Sequence, residues 1–152
     1  MGAPRQPCRR TIPDVLAYLG AIRLLLGAQA VYRGVTMESA LTRLTRQALL
    51  PSDLTVAQAK CGIRRATRRL SRTRWFHDGC LVRAIALSVL IADRPGVLIH
   101  IGFSGGNPGD GEPRALGHAW VSCRGVIVSD ERGADVGHAY FEAKQLVVHR
   151  LP

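Results

Sequence analysis

Three residues of types that together perform nucleophilic catalysis follow one another along the second half of the chain: Cys80, His118 and Asp130. Cys80 opens an uninterrupted helical pattern, and the preceding Asp78-Gly79 pair is typical of a chain that enters a helix. A thiol in the first turn of a helix lies beside unpaired backbone N–H groups and the positive end of the helix dipole, which favour the thiolate. A nucleophile on a helix, then a base, then an orienting carboxylate predicts covalent catalysis by a cysteine.

His118 and Asp130 lie on two predicted strands, at 117–122 and 126–130, which must bring the two side chains together. Cys123-Arg124-Gly125 joins the two strands. We predict a three-residue loop with the glycine in the left-handed third position. That register sets His118 opposite Asp130, on one face of the hairpin, with Cβ atoms about 5 Å apart. A two-residue loop would instead turn the two side chains to opposite faces.

The first half of the chain has helical patterns. Thr11 followed by Asp14 predicts a capping box and a helix start. The broad apolar face of this helix is predicted to comprise Val15, Leu16, Leu19, Ile22, Leu25 and Leu26. A second helix is predicted at about 36–50, before Pro51.

A third helix is predicted from Thr55, which forms a capping box with Gln58. Its outward side chains are basic: Lys60, Arg64, Arg65, Arg68, Arg69, Arg72 and Arg74. These side chains form either a solvated face or a docking surface for an acidic peptide or protein, with Arg64, Arg65 and Arg68 as candidate contacts. Nucleic acid is disfavoured because almost no aromatic residues interleave with the arginines.

The rest of the chain is mostly strand. The helix from Cys80 to about Ala92 reads as buried, and 97–103 has the β-branched content of an interior strand. The Gly/Pro-rich 104–113 segment is predicted to be a lid or substrate rim, and a last strand is predicted at 145–149. Helices first and strands later predict an α+β fold: one compact domain with a helical, arginine-rich part (1–74) and a catalytic part (75–152).

The net charge also differs between the two parts of the chain. The 152 residues are 47% hydrophobic and 21% charged, with a net charge of +10. Residues 1–74 carry 14 Lys and Arg against 3 Asp and Glu, or +11, whereas residues 75–152 carry 7 against 8, or −1. The basic half therefore suits an acidic partner, and the near-neutral half carries the chemistry.

The four cysteines show no CxxC pair, which argues against a zinc ribbon and a dense disulfide framework. Cys8, Cys61 and Cys123 are interpreted as small buried hydrophobic residues. A metal site built from the catalytic residues would lack a fourth ligand, so we expect neither metal nor cofactor.

The apolar run at 15–26 resembles part of a signal peptide, since arginines precede it and Ala28-Gln29-Ala30 resembles a signal-peptidase site. Arg23 interrupts the run, and Asp14 stands at its entrance. We therefore expect a cytoplasmic protein without a membrane span.

Three segments together resemble a known family: Cys80-Leu81-Val82-Arg83-Ala84-Ile85-Ala86-Leu87, Gly117-His118-Ala119-Trp120-Val121 and Val126-Ile127-Val128-Ser129-Asp130. They resemble the lasso-peptide leader peptidases, which are transglutaminase-like cysteine peptidases. The resemblance is close over residues 75–131. Its most specific parts are the Cys-Leu-x-Arg-Ala helix start and the His-Ala-Trp strand.

The resemblance implies a papain/transglutaminase-like core and removal of the leader from a ribosomally made precursor, before a separate enzyme cyclises the freed core. A chain of this length resembles the stand-alone type, which needs a separate leader-binding recognition protein. The macrocyclase is a further candidate partner, and no nucleic acid or membrane is implied. The alternatives are another transglutaminase-like amidase, acyltransferase or cell-wall peptidase, and a non-enzymatic basic binding module.

The residues suggest roles around the reaction. The Cys80 backbone N–H, at a helix start, is a natural oxyanion donor. A second donor is left open, with Trp75 and His77 within reach along the sequence. Trp120 is predicted to lie in the core and to shield the catalytic residues from water.

Overall fold

A computed structural model of the chain describes residues 11–47, 54–104, 116–129 and 141–148. In these ranges it has four α-helices, one short 3-10 helix and four β-strands. The helices are α1 (Ile12–Ala28), the 3-10 helix (Gln29–Arg33), α2 (Met37–Gln47), α3 (Val56–Leu70) and α4 (Cys80–Leu90). The strands are β1 (Val97–Ser104), β2 (Leu116–Cys123), β3 (Val126–Ile127) and β4 (Phe141–Val147). The predicted α+β class is confirmed.

Two helices begin at the predicted capping boxes. The Asp14 carboxylate accepts hydrogen bonds from the Thr11 backbone N–H at 3.0 Å and from its hydroxyl at 2.7 Å. At the start of α3, the Gln58 side-chain oxygen accepts from the Thr55 N–H at 2.9 Å. The Gln58 N–H in turn donates to the Thr55 hydroxyl at 3.1 Å. Each box satisfies backbone donors that a helix start leaves open.

The predicted inward face of α1 is wrong. Of its six residues only Leu25 is fully buried, and Leu19 is 55% exposed. The buried residues of α1 are Ala17, Ala21, Leu24, Leu25 and Ala28. The exposed apolar side chains of α1 are Ile12, Val15, Leu16, Leu19 and Leu26, which we call the α1 stripe.

Small residues explain which side of α1 is buried. The helix is apolar around its whole circumference, so hydrophobicity alone does not select a face. The alanine side allows α3 to approach closely: a Cβ placed on Gly62 would lie 2.7 Å from the backbone oxygen of Ala17. Close packing of α1 on α3 therefore takes the alanines inward and leaves the larger side chains outside.

By length and composition, the continuous helical segment Ile12–Arg33 is long and apolar enough to cross a membrane. Buried core helices and signal sequences pass the same test, and a third of the 18-residue apolar stretch within this segment is buried in the fold.

Helix α4 is the centre of the fold. It packs against α1 and α3 on one side and against β1 and β2 on the other. Val82 and Ile85 of α4 are fully buried, in one core with Ile99 and Val121 of the sheet. This position fixes the helix that begins at Cys80 from several directions.

The sheet is antiparallel, in the order β3-β2-β1-β4. Across β1 and β2, His100 pairs with Trp120 and Gly102 with His118. β4 begins at Phe141, earlier than the predicted last strand. The predicted lid at 104–113 lies outside the described residues except for Ser104, which ends β1.

The predicted three-residue hairpin loop is wrong. Cys123 pairs with Val126, so the β2–β3 turn has two residues, Arg124 and Gly125, with φ of 52° and 78°. Two left-handed central residues are what a tight type I′ hairpin turn needs. Arginine rarely adopts this conformation. Here its backbone N–H donates to the Gly96 carbonyl at 3.0 Å, which holds Arg124 in place.

Beyond the turn the hairpin ladder stops early. The Val128 N–H donates to the Val121 carbonyl at 2.8 Å. The Val121 N–H, however, donates at 2.7 Å to the side-chain oxygen of Ser129, in place of a backbone carbonyl. The chain therefore leaves the regular register at Ser129. Asp130 lies outside the described residues, and the hairpin register does not determine which way it faces.

Candidate active site

Cys80 is the first residue of α4, as predicted, and its thiol is free and partly buried. Gly79 precedes it in an extended conformation and offers no side chain to cap the helix. The backbone N–H groups of the first turn of α4 are therefore available to a negatively charged group. This is the environment that a reacting thiolate and a developing oxyanion need.

Asp78 and Arg83 lie on either side of Cys80 in the sequence and form an ion pair. The Asp78 carboxylate and the Arg83 guanidinium are 3.4 Å apart, and both side chains are substantially exposed. An ion pair in water of this kind contributes at most about 1 kcal/mol. Its effect is local, because it links the segment before Cys80 to the first turn of α4.

Gln29, in the 3-10 helix, holds that segment from across the fold. Its side-chain Nε2 donates to the His77 carbonyl at 2.9 Å. Its Oε1 accepts from the His77 backbone N–H at 3.2 Å. Gln29 is buried, so this two-bond clamp is shielded from competing water.

Tyr32, one turn further along the 3-10 helix, contacts the same segment. Its ring meets that of His77 edge-on, with centroids 5.8 Å apart. Its hydroxyl lies against Gly79, where a Cβ would overlap the hydroxyl oxygen. Burial raises the pKa of Tyr32, and negative charge at Cys80 and Asp78 raises it further.

Sequence reasoning missed both residues. Gln29 belongs to the Ala28-Gln29-Ala30 stretch that resembles a signal-peptidase site, and Tyr32 stands in no recognised motif. Both are more than 40 positions from the segment they hold, so no local spacing connects them. The one available signal is a polar glutamine between alanines at the end of an apolar helix, which calls for a buried hydrogen-bond partner.

His118 lies in β2, as predicted, beside a stack of rings. The centroid of its ring is 6.1 Å from that of the Trp120 ring. The Trp120 ring in turn stacks on the His100 ring, with centroids 5.3 Å apart and only 5° between the ring planes. The His100 Nε2 and the Ser122 hydroxyl are 2.7 Å apart. Trp120 is buried, as predicted, and His100 is buried beside it.

Alternation along β2 separates two kinds of side chain. Ala119 and Val121 belong to the core that includes α4, and Cys80 packs against that core. His118 and Trp120 occupy the alternate positions of the strand. Because α4 packs against β2, the helix that begins at Cys80 and the strand that carries His118 are neighbours. The pairing of Cys80 with His118, and the role of Asp130, stay predictions.

The other candidate contacts are distributed differently. Trp75 is 58% exposed, just before the clamped segment, and His77 is exposed within it. Arg68 is exposed on α3. Arg65 is half-buried, with its guanidinium carbon 5.2 Å from the centre of the Tyr18 ring. Arg64 is half-buried as well.

The cysteines also differ from expectation. Cys61 is disulfide-bonded rather than a simple core residue, and its partner lies outside the described residues. Cys123 is free and half-buried. Across the described ranges, no group of three or more His, Cys, Asp and Glu residues has a geometry that could hold a metal ion.

Comparison with known proteins gives one match. A family model described as the transglutaminase-like superfamily matches residues 22–142, which include the Gln29 clamp, Cys80, His118 and Asp130. No curated protein and no solved structure shows significant similarity. The match covers most of the chain and both halves of the fold. The chain therefore belongs to the transglutaminase-like superfamily.

Proposed function

We propose that this protein is a cysteine peptidase that removes the leader from a lasso-peptide precursor. The observation that carries the proposal is the free Cys80 thiol at the start of α4, on a segment clamped by Gln29. A fixed thiol beside open backbone N–H groups is suited to attack on a carbonyl carbon. The superfamily is generally enzymatic and includes cysteine hydrolases and transferases, which agrees with this chemistry.

The first half of the reaction forms an acyl-enzyme. His118 takes the thiol proton, and the Cys80 sulfur adds to the scissile carbonyl carbon. The carbonyl oxygen becomes an oxyanion beside the first turn of α4. The C–N bond then breaks, and His118 returns the proton to the leaving amine, which is the amino end of the core peptide.

The second half regenerates the thiol. Water, deprotonated by His118, adds to the thioester carbon, and the leader leaves with a free carboxylate. Asp130 is assigned the orienting role, in which it holds the imidazole and supports its charged form. An amine in place of water would give an acyl transfer, so access of water decides between a hydrolase and a transferase.

Leader removal is the finer part of the proposal. The Cys-Leu-x-Arg-Ala start of α4 and the His-Ala-Trp sequence of β2 support it through their resemblance to leader peptidases. We assign the reaction to the cytoplasm, where the precursor is made, and the disulfide at Cys61 is unusual for that compartment. The freed core amine then becomes the substrate of a separate macrocyclase.

Selectivity is assigned to a partner protein that holds the leader. A partner raises the effective concentration of the precursor at Cys80, so the catalytic half need not read the whole substrate. The exposed arginines Arg68, Arg69, Arg72 and Arg74, at and beyond the end of α3, suit an acidic partner. Arg65 is less available because it lies over Tyr18.

The α1 stripe is the apolar part of the proposed docking surface. It lies on the helix that packs directly against α3, and Arg23 is exposed on the same side of α1. Five exposed aliphatic side chains on one helix mark an interaction surface. Because Arg23 lies on the same side of α1 as the stripe, we assign the stripe to an apolar segment of the partner that carries acidic residues.

Cleavage of the precursor tests the catalytic proposal. The purified chain, the precursor and the recognition protein are mixed, and leader release is followed by mass spectrometry. Cys80→Ala should abolish release with an unchanged melting temperature, and His118→Ala should match it. Asp130→Asn should be slower but active, since the nucleophile and base remain.

Cys123→Ala is the matched control, because Cys123 is the other free thiol of the described residues. It should cleave like the wild type. Release by Cys80→Ala at the wild-type rate would end the cysteine-peptidase proposal. A product joined to an added amine, with no free leader acid, would replace the hydrolase with an acyltransferase.

Charge reversal tests the docking surface. Arg68→Glu with Arg69→Glu should weaken partner-dependent cleavage, most strongly at low salt, because exposed charges are screened over about 8 Å at physiological salt. Arg43→Glu with Arg46→Glu, on the exposed side of α2, changes the net charge equally and should have little effect. Equal losses of partner-dependent cleavage in the α3 and α2 double variants would show that only the net charge of the protein matters.

The stripe has its own test. Leu16→Ser with Leu19→Ser should weaken binding of the recognition protein without a change in Cys80 reactivity. Wild-type partner binding by this variant would overturn the assignment. Binding of the wild type to anionic phospholipid vesicles, lost in the same variant, would assign the stripe to a membrane surface instead.

A further inference from the structure

We infer that the Tyr32 hydroxyl is the second hydrogen-bond donor of the oxyanion site, beside the backbone N–H of Cys80. The inference rests on the proposed acyl-enzyme chemistry at Cys80, but it does not depend on which acyl substrate the enzyme takes.

The position of the hydroxyl is the first observation. A Cβ placed on Gly79 would overlap the Tyr32 hydroxyl oxygen, so this oxygen is in contact with the residue bonded to the Cys80 nitrogen. The Tyr32 O–H and the Cys80 N–H therefore lie within one peptide unit of each other. Two donors at such spacing can bind one oxygen.

The fixed orientation of Tyr32 is the second observation. Its ring packs edge-on against His77, and Gln29, one turn earlier, is tied to the His77 backbone by two hydrogen bonds. The donor and the segment that carries the nucleophile are thus held as one unit. An oxyanion site gains most from donors that need no reorganisation during the reaction.

Availability of the proton is the third observation. Burial holds the pKa of Tyr32 above its usual value, so the phenol stays protonated at neutral pH. Within the part of the chain that the structure describes, the Tyr32 hydroxyl makes no hydrogen bond, so the O–H can donate to a ligand. Tyr32 is also 51% exposed, which leaves it within reach of a substrate.

Gly79 acquires a role from this arrangement. Its φ of −120° is open to any residue, so backbone conformation does not require a glycine here. The requirement comes from the hydroxyl, since any side chain at position 79 would displace it. The glycine therefore keeps open the space that the Tyr32 hydroxyl occupies next to the Cys80 N–H.

In the step concerned, the Cys80 sulfur forms a bond to the carbonyl carbon and the carbonyl π electrons move to oxygen. The oxyanion accepts hydrogen bonds from Tyr32 and from the Cys80 N–H. The electron pair then returns to re-form the carbonyl, and the leaving group departs. Tyr32 keeps its proton throughout, so it acts as a donor rather than as an acid.

Two reagents separate this role from others. p-Nitrophenyl acetate acylates a cysteine through an oxyanion and releases p-nitrophenolate. Iodoacetamide alkylates the same thiol by direct displacement of iodide, with no oxyanion. Both rates are measured in a Cys123→Ser background so that the second free thiol does not react, with Cys80→Ala as the blank.

Tyr32→Phe should slow acylation by about 10²-fold to 10³-fold, the range for loss of one oxyanion donor. Its alkylation rate should be unchanged. Tyr18→Phe, which removes a hydroxyl from a tyrosine on α1 away from this segment, should leave both rates unchanged. A wild-type acylation rate for Tyr32→Phe would overturn the inference, and an equal loss in both reactions would make Tyr32 a residue that activates the thiol.

Gly79→Ala provides a second, independent test. The new methyl group should displace the hydroxyl and slow acylation as Tyr32→Phe does. When Gly79→Ala is combined with Tyr32→Phe, the nearest ring atom, Cζ, lies 3.3 Å from the added Cβ, so the ring needs to shift by only a few tenths of an ångström. The variant with both Gly79→Ala and Tyr32→Phe should acylate no more slowly than Tyr32→Phe alone. If the two fold-losses in acylation rate multiply, the two residues do not share a role.

These results are distinguishable from failure of the proposed function. If Cys80→Ala acylates like the wild type, the cysteine chemistry itself is wrong. If the wild type acylates at Cys80 and Tyr32→Phe does so equally fast, only the role of Tyr32 is wrong. If Cys80→Ala does not acylate, Tyr32→Phe acylates slowly and the wild type does not cleave the precursor, only the leader-peptidase assignment is wrong.

Discussion

The side-chain amide of Gln29 brackets the backbone of His77, donating to its carbonyl at 2.9 Å and accepting from its N–H at 3.2 Å. The two residues are 48 positions apart, and this contact fixes the approach of the chain to Cys80. The amide matches the donor and acceptor of one peptide-chain residue, as a neighbouring β-strand would. The active segment is therefore held by a side chain rather than by secondary structure.

Replacement of Gln29 should loosen that segment. Gln29→Ala removes both hydrogen bonds and should cost about 1–3 kcal/mol of unfolding free energy. Acylation of Cys80 should slow by at least about tenfold, since misplaced catalytic groups lose rate steeply. Gln29→Glu would place a carboxylate oxygen against the His77 carbonyl oxygen at a buried position, so it should slow acylation and lower stability at least as much as Gln29→Ala. Stopped-flow acylation and thermal melts measure the two effects.

Gln58→Ala is the matched control for this prediction. It removes the two hydrogen bonds that the Gln58 side-chain oxygen accepts from the Thr55 N–H and hydroxyl at the start of α3, and it keeps the bond from the Gln58 backbone N–H to Thr55. It should cost about 1 kcal/mol of stability, as the loss of a cap does. Acylation should not change. A Gln29→Ala enzyme that acylates as fast as the control would show that the clamp has no part in catalysis.

Gly62→Ala should destabilise the protein although alanine favours helices. Alanine gains about 1 kcal/mol over glycine inside an isolated helix. Here its Cβ would lie 2.7 Å from the Ala17 backbone oxygen, so α1 and α3 must separate. We expect a net loss of about 1–3 kcal/mol in chemical denaturation, as for other overpacked sites. Arg69→Ala, at an exposed position of the same helix, should be nearly neutral, and a rise in melting temperature for Gly62→Ala would contradict the close packing.

The β2–β3 turn can be tested through Arg124, whose φ is 52°. A side chain in the left-handed region costs about 1–2 kcal/mol, and asparagine tolerates that region best after glycine. Arg124→Asn should therefore raise stability by about 0.5–1 kcal/mol, and Arg124→Val should lower it. In a three-residue loop residue 124 would be right-handed, and the two variants would differ little. Denaturant midpoints decide between the two loops.

The Thr11–Asp14 cap should give a defined pH dependence. Hydrogen bonds from Thr11 lower the pKa of Asp14 below its usual 3.8. Because the folded pKa is lowered, the stabilisation is fully present above pH 3.8 and is lost as the pH falls through the folded value. The melting temperatures of wild type and Asp14→Asn should differ at pH 7 and converge in acid. A constant difference down to the lowest accessible pH would show that the carboxylate charge contributes nothing.

Local sequence determined where the main elements begin. Thr11 with Asp14, and Thr55 with Gln58, each predicted a helix start that the structure shows, because a capping box involves residues only three apart. The start of α4 at Cys80 was predictable because the Asp78-Gly79 pair and the helical pattern that follows it are also local features. The helix-then-strand order was sufficient for the α+β class, since hydrophobic periodicity is also a local property.

Sequence patterns did not predict the structure correctly where two or more local conformations or packings have similar energies. The circumference of α1 is apolar throughout, so the sequence does not indicate which side α3 covers; the close approach of Gly62 to Ala17 decides it. The hairpin offered two loops that differ in the conformation of one residue, Arg124. The hydrogen bond from Arg124 to Gly96, in a separate turn, selects the shorter loop.

The proposed nucleophile, Cys80, could be predicted from a single segment of sequence, whereas the residues around it could not. Gln29 and Tyr32 reach the segment before Cys80 only because α1 packs beside α4 and brings the 3-10 helix to the start of that helix. Contacts between residues this far apart in sequence depend on how helices pack, and packing is decided by the shapes of buried surfaces rather than by periodicity. Sequence thus determined which residue is the candidate nucleophile, and the tertiary structure decided which residues hold it.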